Sequence, residues 1–213
     1  MKNYFIKTPR TVKWLMPKLV WDLPADEKEV YLTFDDGPTP GVTDFVLNEL
    51  DKVNAKATFF CIGRNIKEYP ELFREIIDRG HHIGNHTYHH ENALKSDHKS
   101  YMDSVRKTGD IISEYTGKDA NTKLFRPPYG KITTGITNQL IADNYSIIMF
   151  DVLSADFDQK IDPEKCYMNV MRNTAKGSII VFHDSLKAAD RLKPSLPRIL
   201  NDLREEGYRF MAI

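Results

Sequence analysis

Short runs of β-branched and aromatic residues alternate along this chain with longer amphipathic stretches, and this alternation constrains the fold more than any other feature. Strands that are separated by helices pair in parallel, because the helix returns the chain to the same edge of the sheet. The predicted strands are Glu29–Phe34, Ala57–Ile62, His82–Gly84, Lys123–Phe125, Ser146–Asp151, Ser178–Phe182 and Arg209–Ile213.

Seven such strands predict an α/β protein built as a single distorted (β/α) barrel of about seven parallel strands, TIM-like in architecture. A doubly wound open sheet has the same periodicity and stays open as an alternative. The clearest predicted helix is Pro70–Arg79, and others cover about 96–115 and Leu196–Glu206. With 213 residues, the chain fits one catalytic domain, predicted at 29–213, with residues 1–28 as a segment that packs on the barrel.

Composition excludes several classes of function. Lys plus Arg and Asp plus Glu number 30 each, so no global charge would attract nucleic acid. No apolar stretch is long enough for a transmembrane span or a signal peptide, which predicts a cytoplasmic location. Cys61 and Cys166 are expected as buried thiols. The apolar cluster around Trp14 and Trp21 is expected to pack on the core, with contact to a membrane surface as the alternative.

Polar residues follow the predicted strands at their carboxyl ends, which is where parallel barrels carry their active sites. If these side chains were only surface residues, half of them should lie at the opposite strand ends. The pattern therefore predicts one shared site formed by Asp35, Asp36, His86, Arg126, Asp151 and His183.

Two of these motifs indicate a metal site. The adjacent Asp35 and Asp36 would be costly at a partly buried strand end without a cation, although Asp-Asp-Gly-Pro is also good turn chemistry. His86 and His90 are four residues apart, which would direct both imidazoles the same way on a helical turn. Two imidazoles and one carboxylate can bind a metal and leave positions open, whereas a surface His pair is the alternative reading.

Two further motifs indicate proton transfer. The two prolines of Arg126-Pro127-Pro128-Tyr129 stiffen a loop that can hold an arginine against a carboxylate, or can simply form a rigid surface turn. His183 ends an apolar strand at the same end of the barrel, where a proton donor would be needed.

Together these motifs resemble the polysaccharide deacetylase family, the NodB-homology domain of carbohydrate esterase family four. The resemblance extends from about residue 30 to residue 183 and covers five ordered motifs. They are Thr33-Phe34-Asp35-Asp36-Gly37-Pro38, His86-Thr87-Tyr88-His89-His90, Arg126-Pro127-Pro128-Tyr129, Asp156-Phe157 and Val181-Phe182-His183. The family usually has Trp where this chain has Phe157, and Leu where it has Val181.

The resemblance implies a metal-dependent hydrolase that removes N-acetyl groups from an N-acetylated amino sugar or polysaccharide. It implies one divalent ion, zinc with cobalt or nickel as alternatives. The implied metal ligands are Asp36, His86 and His90, and the implied catalytic residues are Asp35 as base, His183 as acid, Arg126 and Asp156. The implied substrate-binding residues are Tyr129, whose backbone amide would face the oxyanion, and Pro127, Phe157 and Val181.

Two alternatives to this function remain open. The same scaffold could hydrolyse another non-peptide C–N bond, such as that of a cyclic amide. It could also be a silent carbohydrate-binding domain, although a pure binder needs neither an acid nor a base.

Overall fold

One parallel β-sheet forms the centre of the protein. The computed structural model describes residues 4–117 and 123–213, and within them eight strands pair in parallel. The strands are β1 (Glu29–Asp35), β2 (Thr58–Cys61), β3 (His82–Asn85), β4 (Lys123–Phe125), β5 (Tyr145–Ile147), β6 (Val152–Leu153), β7 (Ile179–His183) and β8 (Arg209–Met211).

Helices lie between most of the strands. In the described ranges they are α1 (Arg10–Leu15), α2 (Thr43–Lys52), α3 (Gly63–Glu68), α4 (Pro70–Asp78), α5 (His98–Thr116), α6 (Thr134–Ala142), α7 (Pro163–Met171) and α8 (Ala189–Glu205). The helices predicted near α4 and α5 are confirmed. Helix α8 begins earlier than predicted and contains Pro194 and Pro197, although proline is normally unfavourable inside a helix. No helix in the part of the chain described is both long and apolar enough to cross a membrane.

The order of the strands confirms the predicted barrel. The sheet order is β5-β4-β3-β2-β1-β7-β6, with β8 paired to the first residues of β1. The first strand thus lies beside a late strand, as in a sheet that curls toward closure. The sheet opens between β5 and β6, where Val20 bridges to Ile148 and Asp22 bridges to Ser178.

Strand β1 shows why the sheet is buried on both faces. Val30, Leu32 and Phe34 have no exposed surface and belong to the core between sheet and helices. The Phe34 ring stacks on Phe59 and Phe182, with centroid distances of 5.1 and 5.6 Å. Truncating such a side chain to alanine typically costs about 3–5 kcal/mol. The alternate residues of β1 face the barrel interior.

The strand predicted over Ser146–Asp151 is wrong for most of its length, because β5 ends at Ile147 and β6 begins only at Val152. Arg126 explains the interruption, because its guanidinium donates hydrogen bonds to backbone carbonyls that would accept from a neighbouring strand if β5 continued. It donates from Nε to the Ile148 carbonyl at 3.1 Å and from Nη2 to the Met149 carbonyl at 2.9 Å.

The N-terminal segment contacts the barrel on β6 and just before β7. The Leu153 amide donates to the Ile6 carbonyl at 2.8 Å, and the Leu23 amide donates to the Gly177 carbonyl at 3.0 Å. Trp21 is buried as expected, but Trp14 is 79% exposed, so the expected core packing is wrong for that residue. The division of the chain at residue 28 stays a prediction.

Candidate active site

The carboxyl end of β1 carries the two adjacent aspartates. Asp35 is buried and lies in register with Phe60 on β2 and His183 on β7. The chain then turns, and Asp36 adopts a positive φ of 82°. The two carboxylates therefore point in different directions, which allows them different partners.

The turn after Asp36 requires a glycine at position 37, because the Asp184 carboxyl lies against it. The Gly37 amide donates to Asp184 Oδ1 at 3.0 Å, and a Cβ at this position would lie 2.0 Å from Asp184 Oδ2. The Thr43 hydroxyl donates to the same carboxyl at 2.6 Å. Burial raises the pKa of Asp184 to about 7. The motifs did not indicate Asp184 as a site residue, although it directly follows His183.

Asp36, His86 and His90 form the cluster that could hold a metal ion. Asp36 Oδ1 lies 3.7 Å from His86 Nε2 and 3.3 Å from His90 Nε2. One ligand atom from each residue lies within 4.8 Å of the others. Asp36 Oδ1 is buried and has no hydrogen-bond partner among the described residues. Since an unpaired buried oxygen is unfavourable, this donor set fits a divalent cation.

The two histidines reach this position from a loop rather than from a helix. Thr87 and His90 both have positive φ angles, 64° and 61°, so the helical turn expected from their spacing is wrong. The loop is held instead by Asn85 Oδ1, which accepts the Thr87 amide at 2.9 Å.

His86 has its tautomer set by the backbone. Its Nδ1 lies 2.8 Å from the Arg126 carbonyl, which can only accept, so Nδ1 carries the hydrogen and Nε2 keeps a lone pair. Burial lowers the pKa of His86 to about 4, which keeps the ring neutral. A neutral imidazole whose second nitrogen is anchored is a typical metal ligand.

Arg126 is the fully buried partner of Asp35. Its Nη1 donates to Asp35 Oδ1 and to Thr33 Oγ1, each at 2.7 Å. The guanidinium also lies over the Phe60 ring, 4.1 Å from its centroid. Burial lowers the pKa of Arg126, while the Asp35 carboxylate opposes this shift. The predicted arginine–carboxylate contact is thus present, and it orients Asp35 toward the site.

His183 and Asp156 form the second buried pair. Asp156 Oδ1 lies 2.7 Å from His183 Nδ1, and Oδ2 accepts the His183 backbone amide at 2.7 Å. Burial alone would lower the pKa of His183, but the charge and hydrogen bond of Asp156 raise it to about 9. The imidazole is therefore protonated at neutral pH.

Burial and the neighbouring polar groups shift the pKa of Asp36 in opposite directions. Burial alone would raise the pKa of Asp36, but nearby His183, His86 and His90 lower it, and so does a hydrogen bond from Ser185. The carboxylate is therefore ionised and available to a cation.

The predicted substrate-binding residues surround these pairs. Tyr129 is exposed, has a φ of 62°, and packs its ring 4.5 Å from that of His90. Pro127 is buried. Phe157 presents an edge to His183 at 5.1 Å, and Val181 is buried on β7.

Asp151 does not belong to this site, which corrects the sequence-based expectation. Its carboxylate accepts hydrogen bonds from Lys7, from Lys13 at 2.6 Å, and from the Ser178 hydroxyl at 2.6 Å. Ser178 directly precedes β7, so this cluster lies at the opposite end of the barrel. Cys61 and Cys166 are free, buried thiols, as expected.

Comparisons with known proteins identify the family of this chain. The family model described as "Polysaccharide deacetylase" matches residues 22–148. A peptidoglycan-N-acetylglucosamine deacetylase of Bacillus cereus is 34% identical over 193 residues, 89% of this chain and 68% of the relative. The peptidoglycan-N-acetylmuramic acid deacetylase PdaC of Bacillus subtilis is 30% identical, over 97% of this chain and 44% of the relative.

A crystal structure is also similar over nearly the whole chain. It is that of the peptidoglycan N-acetylglucosamine deacetylase Bc1960 in complex with an N-hydroxybenzamide compound, with a TM-score of 0.88 and 31% identity. The match covers 97% of this chain and 95% of that one. This chain belongs to the polysaccharide deacetylase family.

Proposed function

We propose that this protein is a metal-dependent hydrolase that removes the N-acetyl group from an amino sugar of a polysaccharide and releases acetate. The observation that carries the proposal is the unpaired buried oxygen Asp36 Oδ1 between His86 and His90. The buried Asp35–Arg126 ion pair and the His183 imidazole, which is paired with Asp156, adjoin this cluster. A base and an acid would therefore both be available.

Asp36, His86 and His90 would hold one divalent ion. Such an ion lowers the pKa of a bound water toward neutrality. Two imidazoles and one carboxylate suit zinc, and cobalt or nickel would fit the same donors.

Asp35 would accept the proton of the attacking water. Arg126 supports this role, because it is buried and holds Asp35 Oδ1 at 2.7 Å. The ion pair fixes the carboxylate in one orientation, and a positioned base contributes about 10²–10⁴ to rate.

Tyr129 would stabilise the negative charge that develops on the carbonyl oxygen. Its φ of 62° belongs to neither a regular strand nor a right-handed helix, and its ring packs against that of His90. A preorganised amide donor of this kind is worth roughly 3 kcal/mol. Phe157, Pro127 and Val181 would line the position of the substrate.

His183 would donate the proton that the leaving amine needs. Its raised pKa, about 9, keeps it protonated at neutral pH, and Asp156 holds Nδ1 so that Nε2 is the donating atom. The amine would then leave without a negative charge on nitrogen.

We propose a peptidoglycan-like or chitooligosaccharide substrate. The similarity to deacetylases of both N-acetylglucosamine and N-acetylmuramic acid in peptidoglycan supports this class. Hydrolysis of a cyclic amide is the alternative reaction at the same site. A silent carbohydrate-binding domain is disfavoured, because binding alone requires neither the Asp35–Arg126 pair nor the His183–Asp156 pair.

One assay separates these three functions. The protein is freed of metal with a chelator, and acetate release from N-acetylglucosamine oligomers and from peptidoglycan is then measured with and without added zinc or cobalt. Amine or ammonia release from cyclic amides is measured in parallel. We expect metal-dependent acetate release only. Acetate release at full rate in metal-free protein would contradict the mechanism, and amine release from the cyclic amides alone would favour the alternative.

A further inference from the structure

The N-terminal arm, residues 4–9, runs along β6 toward the candidate active site. Lys7 bridges antiparallel to Val152, and the Leu153 amide donates to the Ile6 carbonyl. Because the arm is antiparallel to a strand whose carboxyl end faces the site, the earlier residues of the arm lie nearer the site. Tyr4 is thus carried beside the loop that follows β6.

The opposite end of the arm is anchored away from the site. Thr8 donates from its amide to the Asp151 carbonyl at 2.9 Å and from its hydroxyl to the Phe150 carbonyl at 2.7 Å. Lys7 donates to the Asn173 carbonyl at 2.7 Å and pairs with the buried Asp151 carboxylate. These bonds fix the register of the arm on β6, and with it the position of Tyr4.

Tyr4 contacts the residue that packs on His183. Its ring meets Phe157 edge-on, with centroids 5.5 Å apart, and its hydroxyl donates to Asp158. Phe157 in turn meets the His183 imidazole at 5.1 Å and an interplanar angle of 73°. Three rings therefore form a row that begins in the arm and ends at the imidazole.

Phe157 depends on its neighbours for a defined orientation. It is only half-buried and follows Asp156, whose carboxylate holds His183 Nδ1. Aromatic pairs have preferred edge-to-face geometries, so removing Tyr4 frees one side of the Phe157 ring and loosens its contact with the imidazole.

We propose that Tyr4 is a positioning residue which, through Phe157, fixes the orientation of the His183 imidazole for proton transfer to the leaving amine. The inference rests on the proposed function, in which His183 is the general acid. Tyr4 itself would not exchange a proton with the substrate.

The test compares two substrates whose leaving groups differ. An N-acetylglucosamine oligomer releases an amine that must be protonated, whereas p-nitrophenyl acetate releases a phenolate that needs no proton at neutral pH. Since small misplacements at a reacting centre can lower rates by about 10²-fold, we expect Tyr4→Ala to lower kcat for the oligomer roughly tenfold. KM for the oligomer and turnover of the ester should stay within about twofold.

Three further variants define the contact. Tyr4→Phe keeps the ring and should act like the unsubstituted protein, whereas Tyr4→Leu keeps apolar bulk without the ring and should fall between Phe and Ala. Trp14→Ala is the matched control, because Trp14 is an exposed aromatic residue of the same segment on α1, which Lys13 ties to Asp151 at the other end. The Trp14→Ala variant should keep both the oligomer and the ester activity of the unsubstituted protein.

Unchanged kcat for the oligomer in Tyr4→Ala would overturn the inference. So would equal losses on oligomer and ester, or a rise in KM alone, which would make Tyr4 a structural or substrate-contacting residue. Thermal unfolding and metal content are measured on each variant, and if Tyr4→Ala does not fold, Tyr4→Leu and Tyr4→Phe decide by the same criteria. If the unsubstituted protein cleaves the ester but releases no acetate from any N-acetylated sugar, the proposed function fails, and the inference with it.

Discussion

Replacing Asp156 with asparagine tests how His183 keeps its proton. Asp156 has no exposed surface and binds both the backbone amide and Nδ1 of His183 at 2.7 Å. The pKa of His183 rises from an ordinary 6.5 to about 9, although burial alone would lower it. This rise corresponds to roughly 3 kcal/mol in favour of the protonated imidazole, and Asp156 is its main source.

The sign of the effect on activity follows from the role of an acid. At pH 8 an imidazole with a pKa of about 9 is roughly nine-tenths protonated. Without the Asp156 charge, the pKa falls toward the ordinary value of 6.5, at which only about 3% of the imidazole would stay protonated at pH 8. We therefore expect Asp156→Asn to lower kcat/KM about thirtyfold at pH 8, and by only a few fold at pH 6.

The assay is acetate release from N-acetylglucosamine oligomers between pH 5 and pH 10. A divalent ion held by Asp36 would move the alkaline limb of the pH profile to lower pH in both proteins. The comparison is therefore between the alkaline limb of the variant and that of the unsubstituted protein. Asp202→Asn is the control, because Asp202 contacts Tyr167, away from the site. A loss that is the same at pH 6 and pH 8, with no shift of the alkaline limb, would refute the reasoning.

Two other predictions follow from the contacts. Arg126→Leu leaves the buried Asp35 carboxylate unpaired, and urea unfolding should show a loss of about 3–5 kcal/mol, while an unchanged midpoint would contradict it. Gly37→Ala places a Cβ 2.0 Å from Asp184 Oδ2, so thermal unfolding should show a loss of about 1–3 kcal/mol, and a fully stable variant would contradict the packing.

The sequence predicted the barrel well because its strands are buried on both faces. The apolar run through Val30, Leu32 and Phe34 belongs to the core, and Thr33 and Asp35 are buried on the opposite face. The ends of such runs are visible in a sequence, so the carboxylates and histidines that follow them could be assigned to one end of the sheet. The pairs Asp35–Arg126 and His183–Asp156 both lie there.

The remaining features depend on contacts between distant parts of the chain. Asp151 ends an apolar run, but the strand stops earlier because Arg126 takes carbonyls at positions 148 and 149. The spacing of His86 and His90 suggested a helical turn, whereas a hydrogen bond from the Thr87 amide to Asn85 Oδ1 holds an irregular loop. The contact of Tyr4 with Phe157 could not be predicted from the sequence, because it depends on how the N-terminal arm pairs with β6.

The roles of the two neighbouring aspartates are the central claim, and substituting each of them with asparagine tests it. Asp35 contacts Arg126, and Asp36 faces His86 and His90, so the two variants should fail in different ways.

The decisive measurement is metal content and acetate release for both variants across a zinc titration. Asp35→Asn should keep nearly full metal occupancy and lose about two to four powers of ten in turnover, the usual contribution of a general base. Asp36→Asn should bind metal more weakly, and excess metal should partly restore its rate because Asp35 remains. If Asp35→Asn is instead the variant that loses metal and recovers with excess metal, the assigned roles are reversed and the account is contradicted.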